Sequence, residues 1–322
     1  MPKINSDSNL RTSPRRIENC QVAVYMTYTS SKGHALIDRA LYLPRSWSED
    51  PERRTDAGVP DDVEFATKPA LATEMITRAL DAGTPASWVA GDEVYGASPD
   101  LRTSLQDRQI GYVLAVGCNR KVDTVHGRRR VDELAATLPR RAWQRVSAGD
   151  GAKGPRWYSW GRIETTEVPT RGGYCSLLVR RNDTTGELAY YHCYSPDPVT
   201  LPELVRVAGR RWTVEESFQT GKGLTGLDQH QVRTWRSWHR WTILVMLAHA
   251  FLAVVTATQR TVEQCNPSLI RLSVNEFRRL FAALVLTPLH TGCGRVLDWS
   301  VWRRQHQQRA RICHQSRRSR RR

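Results

Sequence analysis

The sequence predicts an α/β fold built on a mixed sheet, and three observations predict it. Residues 87–116 run strand, helix, strand with short links, the pattern of a parallel βαβ unit. Two strand-like stretches, Glu18–Tyr28 and Gly33–Leu43, flank Thr29-Ser-Ser-Lys, a hairpin signal. The 322 residues are 40% hydrophobic and 25% charged, a folded-domain balance that excludes a disulfide mini-protein, a collagen and a mucin-like stalk.

The elements follow in order. Residues 1–14 lack periodicity and are expected to form a disordered leader. After the hairpin, residues 45–66 are charged and read as irregular. A helix starts at Lys68-Pro69, carries an apolar stripe of Leu71, Met75 and Leu80, and stops at Gly83. Ser87–Ala90 is a short strand ending at Gly91-Asp92. Ser98 caps a second helix, with Pro99 at its first position. Gly111–Val116 is a strand, and Tyr174–Val179 pairs with Leu188–Tyr194. Thr200-x-x-Glu203 is a capping box that opens helical chain to about Thr220, with a weak point at Gly209. A long helix is expected from about Val232 to Thr258, then short helices and a basic tail.

Trp241–Gln259 carries no Lys, Arg, Asp or Glu over 19 residues, close to membrane-spanning length. A helix buried all round in a folded core explains it better, because it includes His249 and several Thr. His249 then reads as a core histidine, and the Trp235, Trp238, Trp241 series as helix packing. No membrane association is expected.

The formal net charge is +16. Residues 303–322 hold nine arginines and no acid, and the remainder still carries +7. Both parts favour a polyanionic partner. The seven cysteines are scattered and include no C-x-x-C pair, so neither a disulfide framework nor a zinc cluster is expected. A reducing cytoplasm fits this usage.

Two places can carry chemistry. Asp92 stands at the carboxyl end of a central strand, where ligands of α/β sheets bind, although such an Asp often only caps the next turn. Arg211, Glu215, Phe218 or Gln219, and Lys222 fall at helical steps on one face. A carboxylate flanked by two cations suits a divalent ion next to a phosphate backbone. A plain i,i+4 salt bridge produces the same spacing. Glu216 points about 100° away from Glu215, which favours Glu215.

Several stretches together resemble bacterial insertion-sequence transposases of the DDE type. They are Arg16-Ile-Glu-Asn-Cys-Gln21, Ala35-Leu-Ile-Asp-Arg-Ala-Leu-Tyr-Leu-Pro44, Gly91-Asp-Glu-Val-Tyr-Gly96 with Arg102 to Leu114, Ala208-Gly-Arg-Arg-Trp-Thr-Val-Glu-Glu-Ser-Phe218, Gly226-Leu-Asp-Gln-His-Gln-Val-Arg233 and Trp299-Ser-Val-Trp-Arg-Arg304. They span about residues 15–316.

The resemblance implies an RNase H-like core interrupted by a mainly β insertion, with a helical, basic C-terminal region. It implies a leader over 1–14, core segments over 15–118 and 199–262, an insertion over 119–198, and the C-terminal region over 263–322. Asp92 and Glu215 would be the second and third catalytic acids and the ligands of Mg²⁺ or Mn²⁺, in a two-metal displacement at phosphorus. Arg211 and Lys222 match the R and K of a Y-R-E-K signature, with Ala208 at the place of its Tyr. In the insertion, Arg156, Trp157, Trp160 and Arg162 would contact DNA, the indoles by stacking.

The implied partners are double-stranded DNA, as terminal inverted repeats and target, and a second copy of the chain in a synaptic complex. The implied location is the bacterial cytoplasm, on the nucleoid. The first catalytic acid and its strand have no counterpart in MPKINSDSNLRTSP, so a truncated copy lacking that strand is expected. The alternative function is a non-catalytic DNA-binding remnant that inhibits full-length transposase.

Overall fold

A nine-stranded sheet runs through the molecule, and from edge to edge its strands begin at His34, Val22, Pro2, Trp88, Gly111, Leu188, Tyr174, Gly154 and Gln144. The structure is a computed structural model, and it describes residues 2–6, 21–151, 154–262, 266, 268–286 and 293–319, with the backbone path for 2–6. The strands of the first half are β1 (Pro2–Ser6), β2 (Val22–Thr29), β3 (His34–Tyr42), β4 (Trp88–Gly91) and β5 (Gly111–Val116). A separate hairpin holds β6 (Lys121–Thr124) and β7 (Gly127–Arg130). The second half of the sheet is β8 (Gln144–Gly151), β9 (Gly154–Glu164), β10 (Tyr174–Arg181) and β11 (Leu188–Ser195). β1, β4 and β5 are parallel, and the other neighbours are antiparallel.

Strand alternation sorts the side chains onto two faces. Val24, Met26, Val89, Tyr112 and Leu114 face α3 (Lys68–Asp81) and α5 (Pro99–Asp107). Thr67 and Ser98 cap these helices, and each has Pro in its first turn, as their starts predict. Met75 and Ile76 are buried beneath α3, each contributing about 2 kcal/mol. The opposite residues, Ala23, Tyr25, Ala90 and Val113, face α7 (Leu201–Arg210), α8 (Thr213–Thr220) and α9 (Trp235–Val262). The result is a curled mixed sheet flanked by helices, an RNase H-like α/β arrangement with a helical C-terminal region.

Several expectations need correction. Pro2–Ser6 is not leader: it forms β1, between β2 and β4. A five-residue strand without apolar alternation leaves no sequence signal, and its hydrogen bonds come from both neighbours. Asp7, the rest of the expected leader, and Arg16 to Cys20 lie outside the described residues. Residues 45–66 hold two short helices, α1 (Arg45–Ser48) and α2 (Pro51–Ala57), the second capped by Asp50. The stretch over 119–198 is mainly β. Its strands β8–β11 extend the core sheet, because β11 pairs with β5. β6–β7 and α6 (Val131–Ala136) lie outside that sheet. Thr200 occupies the cap position of α7 without a side-chain cap bond.

α9 is not buried all round. Val245, Met246, His249 and Leu252 are buried, while Leu244 and Leu247 are 63% and 65% exposed, and Phe251 and Val254 are exposed as well. Trp235–Arg260 is long and apolar enough to cross a membrane by length and composition, with a third of its window buried. The basic tail is helical: α11 (Cys293–Ser319) follows α10 (Val274–Phe281), and Arg303 pairs with Glu276 of α10. Arg320 to Arg322 lie outside the described residues.

Candidate active site

Asp92 directly follows β4, whose Val89 and Ala90 are fully buried. It caps the single turn α4 (Glu93–Gly96), and its Oδ1 accepts the N–H of Val94 at 2.9 Å. Capping therefore employs one carboxylate oxygen. Gly96 ends this turn where a Cβ would stand 1.9 Å from the carbonyl oxygen of Ala115, so only glycine lets the turn sit on β5. Burial raises the pKa of Asp92 above the ordinary carboxylate range. The Val94 N–H, the Arg211 charge, the Tyr95 N–H and the Lys68 charge oppose that rise in decreasing measure.

Arg211 follows α7, and Glu215 lies one turn further on, in the first turn of α8. The docking of α8 sets both. Val214 and Phe218 are buried against β2 and β3, Phe218 meets Tyr25 edge-on at 5.4 Å, and the hydroxyls of Thr213 and Thr29 bond at 2.9 Å. Glu215 is half-buried. Glu216 turns toward β3, with its carboxylate 3.5 Å from Nε2 of His34. The Arg211 charge acts on Asp92, and the Arg211-to-Glu215 spacing is helical. Lys222 lies beyond α8, in a wide helical turn over Gly221–Thr225, and lines a cavity with Tyr25, Asp228, His230 and Trp241.

The four expected DNA contacts divide. Trp157 is 44% exposed, with the Arg145 guanidinium 5.4 Å over its ring. Trp160 is 1% exposed; it packs between the sheet and α7 and donates its N–H to the carbonyl of Val146 at 3.2 Å. It is a core residue, which corrects its expected stacking role. Arg156 donates to the carbonyls of Ala148 and Gly209, both at 3.0 Å. Arg162 pairs with Glu164 at 2.8 Å and donates to the carbonyl of Val199 at 2.6 Å. These two guanidiniums hold the fold together, and neither is presented as a phosphate clamp.

Sequence reasoning missed Lys68, whose charge reaches Asp92 from the start of α3. It also missed a belt of cation–aromatic pairs on β8–β10. There Arg181 lies 4.4 Å over Trp143, and Arg180 lies 4.7 Å over Tyr158. Tyr158 is the cross-strand diagonal neighbour of Arg180, and Trp143 stands just before β8, so linear spacing could not reveal either pair.

Residues 9–155 match the family described as DDE superfamily endonuclease. The matched stretch includes Asp92 and ends before Arg211 and Glu215. The similarity supports a DDE nuclease or transposase type of protein, a nucleic-acid substrate, and the divalent metal ions such nucleases generally use. No curated protein matches the chain.

Proposed function

We propose that the chain is a DNA-cleaving and strand-joining protein of the insertion-sequence transposase type. The observation that carries this reading is Asp92 at the end of a central parallel strand, with the Arg211 charge acting on it and Glu215 one helical turn beyond Arg211. Asp92 and Glu215 offer oxygen donors only, the donor set that Mg²⁺ or Mn²⁺ takes. The partly buried Asp92 carboxyl, with its pKa raised by desolvation, fits a group that gains by facing a cation. Such an ion, when bound, polarises the phosphoryl group and lowers the pKa of the attacking water or hydroxyl.

The chain's own residues do the rest. Arg211 and Lys222 hold phosphate oxygens and offset their charge where the pentavalent centre develops. Lys68 adds a third cation on the α3 side. Trp157 and Arg145 offer a stacking surface for a base at the far end of the sheet. The substrate is double-stranded DNA at element ends and at the target, and holding two ends together calls for at least two copies. The basic α11 adds affinity without sequence choice. A bacterial cytoplasmic location on the nucleoid goes with this reading.

The test uses the purified chain, a labelled duplex carrying the element end, and Mg²⁺ or Mn²⁺. Metal-dependent nicking that Asp92→Asn and Glu215→Gln each abolish supports the reading. Nicking that survives both substitutions overturns the assignment of the acids.

One observation favours a second reading, a DNA-binding protein without cleavage. Lys3 of β1 is in register with Ala90 of β4, so residue 5 stands level with Asp92, and residue 5 is Asn. Duplex binding by fluorescence anisotropy, with no nicking under any metal, would select it. Inhibition of a full-length transposase by mixed assembly would then be its activity.

A further inference from the structure

Glu167, Cys175 and His192 meet on the sheet face that carries α3 and α5. Cys175 belongs to β10 and His192 to β11, and these strands pair directly. The register sets Leu177 opposite His192 and Cys175 opposite Tyr194. Cys175 and His192 are therefore diagonal neighbours on one face. Glu167 arrives from the strap 165–173 that joins β9 to β10. One donor atom from each residue lies within 4.8 Å of the other two. His192 is 1% exposed and Cys175 is buried, while the Glu167 side chain retains some access to solvent.

A second feature concerns His192 itself. Its Nε2 faces the Glu167 carboxylate, 2.8 Å from Oε2. On the other side of the ring, Nδ1 lies 3.4 Å from the Tyr112 hydroxyl, which accepts from the Gln106 amide at 2.9 Å. An imidazole whose Nδ1 is oriented by a neighbour and whose Nε2 faces a carboxylate and a thiol can give Nε2 to a metal ion they share.

We propose that Glu167, Cys175 and His192 hold one zinc-type transition-metal ion, which clips the strap 165–173 to the β10–β11 pair. The donor set decides the class. A thiolate and an imidazole select zinc or a similar borderline ion over magnesium, and three protein ligands leave a fourth position for water. Bonds of about 2.0–2.3 Å require the donor atoms to draw somewhat closer than 4.8 Å, and Glu167, at the edge of the site, has room to turn. Coordination releases the Cys175 thiol proton to solvent. The thiolate and the carboxylate then neutralise the ion, so the nearby Arg102 and Arg120 charges face a neutral centre.

The strap is already tied near both ends. Tyr194 donates its hydroxyl to the carbonyl of Gly172 at 3.1 Å, and the Thr166 N–H donates to the carbonyl of Asp123 at 2.9 Å. The ion adds a further tie, between these. The site does not depend on the DNA-cleavage reading, and its test is independent of nicking.

The full chain is stripped with a chelator and titrated with Co²⁺. The expected result is a near-ultraviolet thiolate-to-cobalt charge-transfer band with intense visible bands of tetrahedral type, saturating at one equivalent and displaced by Zn²⁺. Oxygen-only binding at Asp92 and Glu215 cannot produce the thiolate band. Cys175→Ser should abolish the band, and Cys118→Ser and Cys313→Ser should retain it. Wild-type protein that shows no thiolate band overturns the proposal, whether or not any variant folds. So does a band that persists in Cys175→Ser.

Discussion

Arg156 donates from β9 to the carbonyl of Gly209, 3.0 Å away at the end of α7, two residues before Arg211. The same Nη2 donates to the carbonyl of Ala148, and a Cβ on Gly209 would lie 2.0 Å from that carbonyl oxygen. The edge of the sheet and the end of α7 are thus closed on each other, and this closure sets where Arg211 stands. Arg156→Ala should cost about 2 kcal/mol through its two charge-assisted bonds. Gly209→Ala should cost more, because the backbone of β8 must move. Urea unfolding measures both. A phosphate-contact role for Arg156 would instead leave stability unchanged and lower only the salt dependence of DNA binding.

Asp92 carries two roles that substitution can separate. Asn caps a helix about as well as Asp. Asp92→Asn should therefore unfold within about 0.5 kcal/mol of wild type. The same change should slow metal-dependent nicking at least about a hundredfold. Asp92→Ala should lose the cap too, at about 1 kcal/mol. Thermal melts beside nicking assays distinguish the roles. An Asp92→Asn chain with full nicking would leave Asp92 as a cap and nothing more.

Trp157 and Trp160 show what was legible in the sequence and what was not. No clear strand pattern marks the sequence around them, so both indoles fall in one expected DNA-facing group. Three residues apart on a strand, they must face opposite sides, and that parity was the available signal. Trp160→Ala should cost about 3–5 kcal/mol as a core truncation. Trp157→Ala should leave stability nearly intact and weaken DNA binding by about 1–3 kcal/mol. Anisotropy and urea melts on the pair decide it, and equal stability losses would contradict the burial difference. By contrast, α3 and α5 were readable from Lys68-Pro69 and from Ser98-Pro99, because helix starts are local chemistry. The Arg211-to-Glu215 spacing was readable for the same reason. β1 was not, since Pro-Lys-Ile-Asn-Ser carries no pattern and pairs through its backbone. Nor was the meeting of Glu167, Cys175 and His192, which the β10–β11 register and the path of the strap 165–173 bring about.

Residue 5 offers a gain-of-function test. Its backbone is level with Asp92 on the adjacent parallel strand and opposite Tyr25 of β2. Asn5→Asp adds a carboxylate at that level without changing side-chain size. Metal-dependent nicking should rise at least about tenfold over the parent chain, as expected when a further ligand fixes the ion. Isothermal titration with Mg²⁺ should show tighter uptake. An unchanged titration and unchanged nicking would mean that β1 does not contribute to the site.

His249 sets an acid limit on stability. It is 1% exposed on the buried face of α9, and burial alone lowers its pKa from 6.5 to about 4. Below pH 6.5 the unfolded chain takes up a proton that the folded chain refuses. The unfolded state then binds more protons, so stability falls with falling pH. The loss begins near pH 6.5, grows to about pH 4, and levels off once the folded form also protonates. Its full extent is on the order of 3 kcal/mol. His249→Leu removes the titrating group while filling a similar volume. Urea midpoints measured from pH 7 to pH 4 should fall less steeply for the variant than for the parent. Parallel slopes would show that His249 is not held neutral in the folded chain, and the acid sensitivity would then belong to the carboxylates.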